Sequence, residues 1–380
     1  MLAELEKARF HIGPFYLLSE LELNPLFDLG YDLNLLMPAT SEKRDWGIAV
    51  GAPLKAFFVP SKKFVMTADA RPVYRWYLHN EENRDLSWAY RGDIHFLFNH
   101  LYLNFHAEIA DQRLRDRLEL NNLVDRETVS WGSAGELTLS SRTNINFSAA
   151  YRDIEYPDTS NQPDESITQL SREETSFHGA IRHHTFPTTW LRSGIDVTDY
   201  QFDSTARDSQ RREVFIGATR DRAIHDLDIQ IGYLEQTHDT PDFEDFGGIV
   251  GTVQWSYHPR RRLDVRTLVE RQLEFSTFGA NSHYVLDRVQ LITVVPLGQR
   301  LKVDLQGQVG RARYPMAEAM EDGTFARRTD DLLFAAIGGI YQITRQFGAG
   351  FGVGYFERNS NFEQFSEDGI QLLLRLSLRP

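Results

Sequence analysis

The side chains that could do chemistry are few and scattered. His183 and His184 are adjacent at the end of an extended stretch, beside a turn at Pro187, and no third metal ligand lies near them in sequence. They read as a structural or solvated pair rather than as part of a zinc site. Acidic clusters at Asp239, Asp242, Glu244 and Asp245, and at Glu318, Glu321 and Asp322, offer the oxygen ligands that calcium prefers. Neither has the spacing of an EF-hand loop, so both read as solvated loop charge. Gly348, Gly350, Gly352 and Gly354 alternate with Ala349, Phe351, Val353 and Tyr355, which describes a strand with one face kept small and not a phosphate loop. Neither a Gly-x-Ser-x-Gly elbow nor the His-x-Ser-Asn-Gly run of a membrane-embedded lipase occurs. With no cysteine at all, zinc ribbons, thiol redox chemistry and disulfide frameworks are excluded. No catalytic residue, metal or cofactor is expected, and the chain reads as a non-enzyme.

What the polar residues do have is period. In the closing stretch Ile370, Leu372, Leu374, Leu376 and Leu378 fall on one side of a two-residue repeat, and Gln371, Arg375, Ser377 and Arg379 on the other. The same division sets Leu103, Phe105 and Ile109 against Asn104, His106 and Glu108, and Ile145 and Phe147 against Asn144, Asn146 and Arg152. Ile229 and Ile231 stand against Asp226, Asp228 and Gln230, and Leu301, Val303 and Leu305 against Lys302, Asp304 and Gln306. Asp264 and Arg266 extend the polar set. A strand with one uninterrupted apolar face can meet lipid when it has a partner on each side, and a final strand finds its second partner only by pairing back onto the first. The residues of the polar faces would then line a lumen.

Taken along the chain, the alternation marks 18 strands, from 16–36 to 369–379, after a lead-in over residues 1–15 that reads as unordered or one short helical turn. Turns of a few residues alternate with longer charged loops over residues 112–125, 157–172, 203–209, 237–247, 315–326 and 358–368. Short turns on one rim and long loops on the other are the wiring of an outer-membrane barrel. The expected fold is therefore all-β: one closed antiparallel transmembrane barrel of 16–18 strands over residues 16–380, in the bacterial outer membrane, against lipid and lipopolysaccharide. The longest nearly continuous apolar run, 332–341, is too short for a membrane-crossing helix. A net charge of −13 argues against a nucleic-acid partner. No signal peptide is visible, so Met1 is not expected to be the natural start.

The opening Asp28-Leu-Gly-Tyr-Asp-Leu-Asn34 resembles the Gly-Tyr-Asp-x-Asn opening of β-barrel porins found with exopolysaccharide and capsule export operons, and strand ends such as Tyr151-Arg-Asp153 are similar in style over most of the chain. The resemblance implies an outer-membrane conduit for a secreted polysaccharide, working with periplasmic export proteins. The chain departs from barrel convention in ending at Arg379-Pro380 instead of an aromatic residue. A general diffusion or uptake porin and a barrel that anchors a surface assembly are the rival readings, and the oligomeric state is left open.

Overall fold

The computed structural model describes residues 10–19, 22–26, 47–77, 81, 84–114, 124–157, 165–259, 263–277, 281–319, 324–344 and 347–378. The lead-in before Phe10, the Asp28 to Asn34 opening, Glu321, Asp322 and the Arg379-Pro380 end lie outside them. A hairpin of β1 (Phe10–Ile12) and β2 (Phe15–Ser19) precedes β3 (Glu22–Leu26), β4 (Gly47–Gly51), β5 (Leu54–Ser61), β6 (Phe64–Ala70) and β7 (Val73–Tyr77). Then come β8 (Asp85–Leu97), β9 (Leu101–Leu114), β10 (Val124–Ser140), β11 (Thr143–Glu155), β12 (Arg172–Phe186) and β13 (Thr189–Phe202). Next are β14 (Ser209–Asp221), β15 (His225–His238), β16 (Phe246–Tyr257), β17 (Asp264–Phe275) and β18 (His283–Leu297). The chain finishes with β19 (Leu301–Ala319), β20 (Phe325–Gln342), β21 (Phe347–Ser360) and β22 (Glu367–Leu378). One short α-helix, Glu165–Thr168, stands in the loop before β12.

Every described pairing is antiparallel. From β8 to β22 each strand pairs with the next in sequence. The first part is interrupted. β2, β5, β6 and the C-terminal half of β8 form one ladder, and β3, β4, β7 and the start of β8 another. Thus β2 with β3, β4 with β5, and β6 with β7 are broken halves of three stretches that the sequence reading counts as one strand each. Pro53 and Pro72 stand at two of the breaks, where a ring nitrogen has no hydrogen to give a ladder. β22 lies alongside β3.

Alternation gives the sheet two unlike faces. On one, Ile216 and Ile249 are 65% exposed, and Ile109, Phe147, Phe177, Ile195, Ile231, Val309 and Phe351 are exposed as well. The opposite face carries the charged and amide side chains. Its buried apolar groups gather toward the long-loop end: Val124, Ile154, Tyr156, Ile167 and Leu170 in one cluster, and Tyr200, Phe202 and Phe275 in another. The loops are shorter than alternation alone suggests. β19 runs on to Ala319 and β20 begins at Phe325, inside the stretch read from sequence as loop.

One part of the wall departs from regular pairing. The β15–β16 ladder continues to Gln236 opposite Phe246, and the β17–β18 ladder to Phe275 opposite His283, but β16 and β17 stop pairing at Gly251 opposite Arg271. Past that point β17 parts from β16, while β18 keeps its ladder to β19 as far as Val285 opposite Arg313. Leu273 and Val285 belong by alternation with the exposed Val269 and Val289, yet they pack against Leu234, Val250 and Phe246, whose neighbours in sequence Tyr233 and Ile249 hold the apolar face. Along the ladder that β18 keeps with β19, Tyr284 and Leu286 pack on Ala312 and Tyr314, with Leu332 of β20 beside them. The tip is a wedge folded over the polar face of β13 to β16.

Candidate functional site

The polar face is built as a connected lattice. Arg192 on β13 reaches two strands along to Asp228 with both guanidinium ends, at 2.6 and 2.9 Å, and also donates to Gln230 at 3.2 Å. It can lie flat there because Gly217 of the intervening strand is bare: a Cβ at that position would come within 2.8 Å of Arg192 Nε. Gly232 likewise makes room for Glu213, which accepts from Gln230 Nε2 at 3.3 Å. Bidentate arginine–carboxylate pairing fixes geometry as well as charge.

Apart from Arg375, which is placed by backbone register alone, the polar residues picked out by sequence fall on this one face, in separate groups. Asn104 donates to Asp93 and contacts His95, while Glu108 lies 3.6 Å from Arg91. His106 shares their strand face, beside Gly132. Asn144 donates to Glu136 at 2.9 Å, and Asn146 is two residues along on the same side. Asp226, His258, Asp264 and Arg266 form a cluster near the short-turn end, with His258 3.2 Å from Asp264 and 3.7 Å from Asp226, and Arg266 donating twice to Asp264. Lys302, Asp304 and Gln306 line β19, where bare Gly338 accommodates the Asp304 carboxylate. Arg375 takes its place opposite Gly350 in the β21–β22 register. No group of three His, Asp or Glu side chains suited to a metal is present among the described residues. His183 contacts Thr143 at 3.0 Å and His184 stacks on Trp190 at 4.6 Å, so each has a structural partner. Of the loop acids, Asp245 accepts from the His238 amide at 2.8 Å and Glu244 lies 3.9 Å from Arg327.

Where the wedge meets β12 to β16 it roofs a cavity of about 410 Å³ lined by Arg152, Glu174, Glu213, Gln230 and Gln272, with Tyr200 and Phe275 above. Phe275 is edge-on to Tyr200 at 4.8 Å and to Phe202 at 5.1 Å, though β13 stands four strands from β17. Arg172 and Arg211 cover Phe275 at 5.2 and 5.3 Å. Arg172 also pairs with Glu174 at 2.7 Å, and Glu174 meets Arg152 at 3.4 Å. Loops seal the tip: Arg207 donates to the Ser276 carbonyl at 2.7 Å, and the Met316 amide donates to Asn281 Oδ1 at 2.8 Å. Arg172, Glu174, Arg211, Glu213 and Phe275 are absent from the set picked by sequence. The two-residue period of Arg211 and Glu213 against the exposed Val214 and Ile216 was a readable signal for part of it, whereas nothing local marks the inward turn of Phe275.

Beyond the wedge, at the long-loop end of β15 and β18, His283 is buried and its pKa falls to about 4. Burial is the main cause, with His238 and the Arg211 guanidinium adding to it and Asp245 opposing. His238, stacked on it at 6.0 Å, is also lowered, first by its own burial.

Solved structures share this architecture at low identity. OccK3 (OpdO) of Pseudomonas aeruginosa matches at a TM-score of 0.53 and 11% identity, over 95% of this chain and 95% of that one. The FrpB iron transporter of Neisseria meningitidis matches at 0.50 and 10%, over 94% of this chain but 63% of its own length, so the present chain spans under two thirds of FrpB. The copper transporter OprC matches at 0.51 and 10%, covering 93% of this chain and 62% of that one. No curated protein sequence matches. The family described as "Putative beta-barrel porin 2" matches residues 103–379, well over half of the chain. An all-β antiparallel sheet with one lipid-compatible face, outer-membrane porin and transporter folds as structural neighbours, and that family match together place the protein in the bacterial outer membrane as a member of the putative beta-barrel porin 2 family.

Proposed function

We propose that β22 closes onto β3 to make a single barrel of 18 staves, the halves β2–β3, β4–β5 and β6–β7 each counting as one, and that the barrel is a pore for polar, uncharged or weakly charged solutes, with a secreted polysaccharide as its cargo. The observation that carries this is the two-faced wall: exposed aliphatic side chains on the side that would meet lipid, and on the other a lattice of arginines, carboxylates and amides that commits to neither sign of ion. Asn104, His106, Glu108, Asn144, Asn146, Arg152, Asp226, Asp228, Gln230, Asp264, Arg266, Lys302, Asp304, Gln306 and Arg375 line the lumen in this reading. Periplasmic export proteins would deliver the chain.

A second reading is favoured by the wedge. The β17–β18 tip narrows the mouth, and a narrowed mouth suits uptake of small solutes better than passage of a polymer. Single-channel recording of the folded protein in a planar bilayer separates the two. Steady steps blocked by long oligosaccharides support the polysaccharide conduit, steps blind to oligosaccharide favour the uptake porin, and silence from demonstrably inserted protein overturns both.

A further inference from the structure

The inward turn of the β17–β18 tip leaves a dent on the opposite, apolar side of the wall. The dent is a groove of about 570 Å³, within the range of small-ligand sites. Its floor is aliphatic: Ile231, Ile249, Val269, Val289 and Val309 line it. Gly251 lies bare in it, because a Cβ there would come within 2.6 Å of the Gln230 carbonyl. Two cross-strand rows run through this region. Val269, Val289, Val309 and Leu333 stand in register across β17 to β20, and two residues nearer the long-loop end so do Arg271, Asp287, Arg311 and Asp331. Two residues of strand are about 6.6 Å. An apolar row directly beneath a charged one marks the level at which hydrocarbon gives way to headgroups.

The charges at that level are not spread evenly. Here three arginines share two aspartates: Arg311 donates twice to Asp331, at 2.6 and 3.1 Å, while Asp287 takes Arg313 at 2.9 Å and Arg271 at 3.5 Å. All three arginines are about half exposed, and a guanidinium with five N–H groups has donors left after such contacts. On the same face over β9 to β12 the corresponding positions are acidic, with Asp111, Glu127 and Glu155 opposite one another in register and Asp153 opposite Glu173. An anionic headgroup is repelled there and attracted at β17 to β19.

We infer that the groove seats one phosphorylated acyl lipid of the outer leaflet, a lipid A molecule, with an acyl chain along the aliphatic floor and its phosphates on Arg311, Arg313 and Arg271. The inference rests on the outer-membrane barrel reading. It is tested by native mass spectrometry of the full chain released from detergent, after incubation with diphosphorylated lipid A, with the dephosphorylated form, or with phosphatidylethanolamine. The expected result is one diphosphorylated lipid A retained per chain, at least ten times more than either control lipid. The double variant R311Q/R313Q and the groove-filling I249W should each lose that preference, and E127Q should keep it. Equal retention of all three lipids, or an unchanged preference in both altered proteins, overturns the proposal. Unboiled gel migration is read on the same samples. A compact, heat-modifiable band shows that the barrel reading stands even if the lipid site fails, whereas its absence from the wild type counts against the barrel itself.

Discussion

Phe275→Ala would loosen the wedge by an amount that can be worked out. The ring is 5% exposed and touches Tyr200, Phe202, Arg172 and Arg211, none of them on its own hairpin. Truncating a buried phenylalanine costs about 3–5 kcal/mol, and here nearly all of that attaches to the inserted position of the tip, because withdrawal breaks those contacts in either protein. Leu273, Tyr284 and Leu286 still hold the tip, so the lower figure applies. At about 3 kcal/mol the balance between inserted and withdrawn tip moves roughly 100-fold. A withdrawn state present at about 0.1% would then rise to roughly a tenth of the population. In single-channel records this appears as a higher-conductance level, rare in the wild type and occupying about a tenth of the trace in the variant. Phe275→Tyr, which keeps the ring, should match the wild type. If F275A inserts, folds and shows the wild-type conductance with no new level, the wedge does not control the pathway and the reasoning fails.

Other outcomes follow from the same structure. Ile216, 65% exposed near the middle of β14, should cost about 2–4 kcal/mol when changed to arginine if it meets lipid, and almost nothing if it meets water; urea unfolding in vesicles reads the difference. Asp228→Asn leaves Arg192 without its bidentate carboxylate, so the reversal potential in a salt gradient should move toward anion preference, and an unmoved potential would remove both residues from the lumen. Acid should withdraw the wedge. His283 is held neutral with a pKa of about 4, below the ordinary 6.5, so the inserted state is fully favoured above pH 6.5 and loses about 3 kcal/mol as pH falls to 4. The higher-conductance level should therefore grow between pH 6.5 and 4, and H283Q should flatten that profile.

Much of the wall is legible in the sequence because a two-residue period needs no tertiary information. The alternation of Ile145 and Phe147 with Asn144, Asn146 and Arg152 lies on the strand Thr143–Glu155, and that of Ile229 and Ile231 with Asp226, Asp228 and Gln230 on His225–His238. The polar set from Asn104 to Gln306 reaches a common face for the same reason: once the aliphatic partners of a strand are exposed, parity fixes the rest. Legibility ends where a residue's surroundings depend on which strand pairing is missing. Leu273 and Val285 keep the parity of Val269 and Val289 and still end up inside, since parity describes a strand and not the path of the sheet. The breaks in the first strands had a visible cause in Pro53 and Pro72, but a proline in an alternating run reads equally as an edge or a bend. The cavity beneath the wedge was hidden for both reasons, being assembled from β11 to β17 by a turn that no local pattern encodes.

The seam where β16 and β17 part at Gly251 and Arg271 also bears on how the wall comes undone. Its neighbours share ladders that run on to Phe246 and His283, so this joint is the shortest stretch of cross-strand bonding among the strands beside it. Cooperative units of a protein open in order of their own stability and not all together. The β17–β18 tip, joined to β16 by side-chain packing alone past the seam, is the unit whose amide protons should exchange ahead of those of β13 to β15 while the rest of the sheet stays intact. Local unfolding at this joint and withdrawal of the wedge are therefore one event, and the strength of the seam sets how often it occurs.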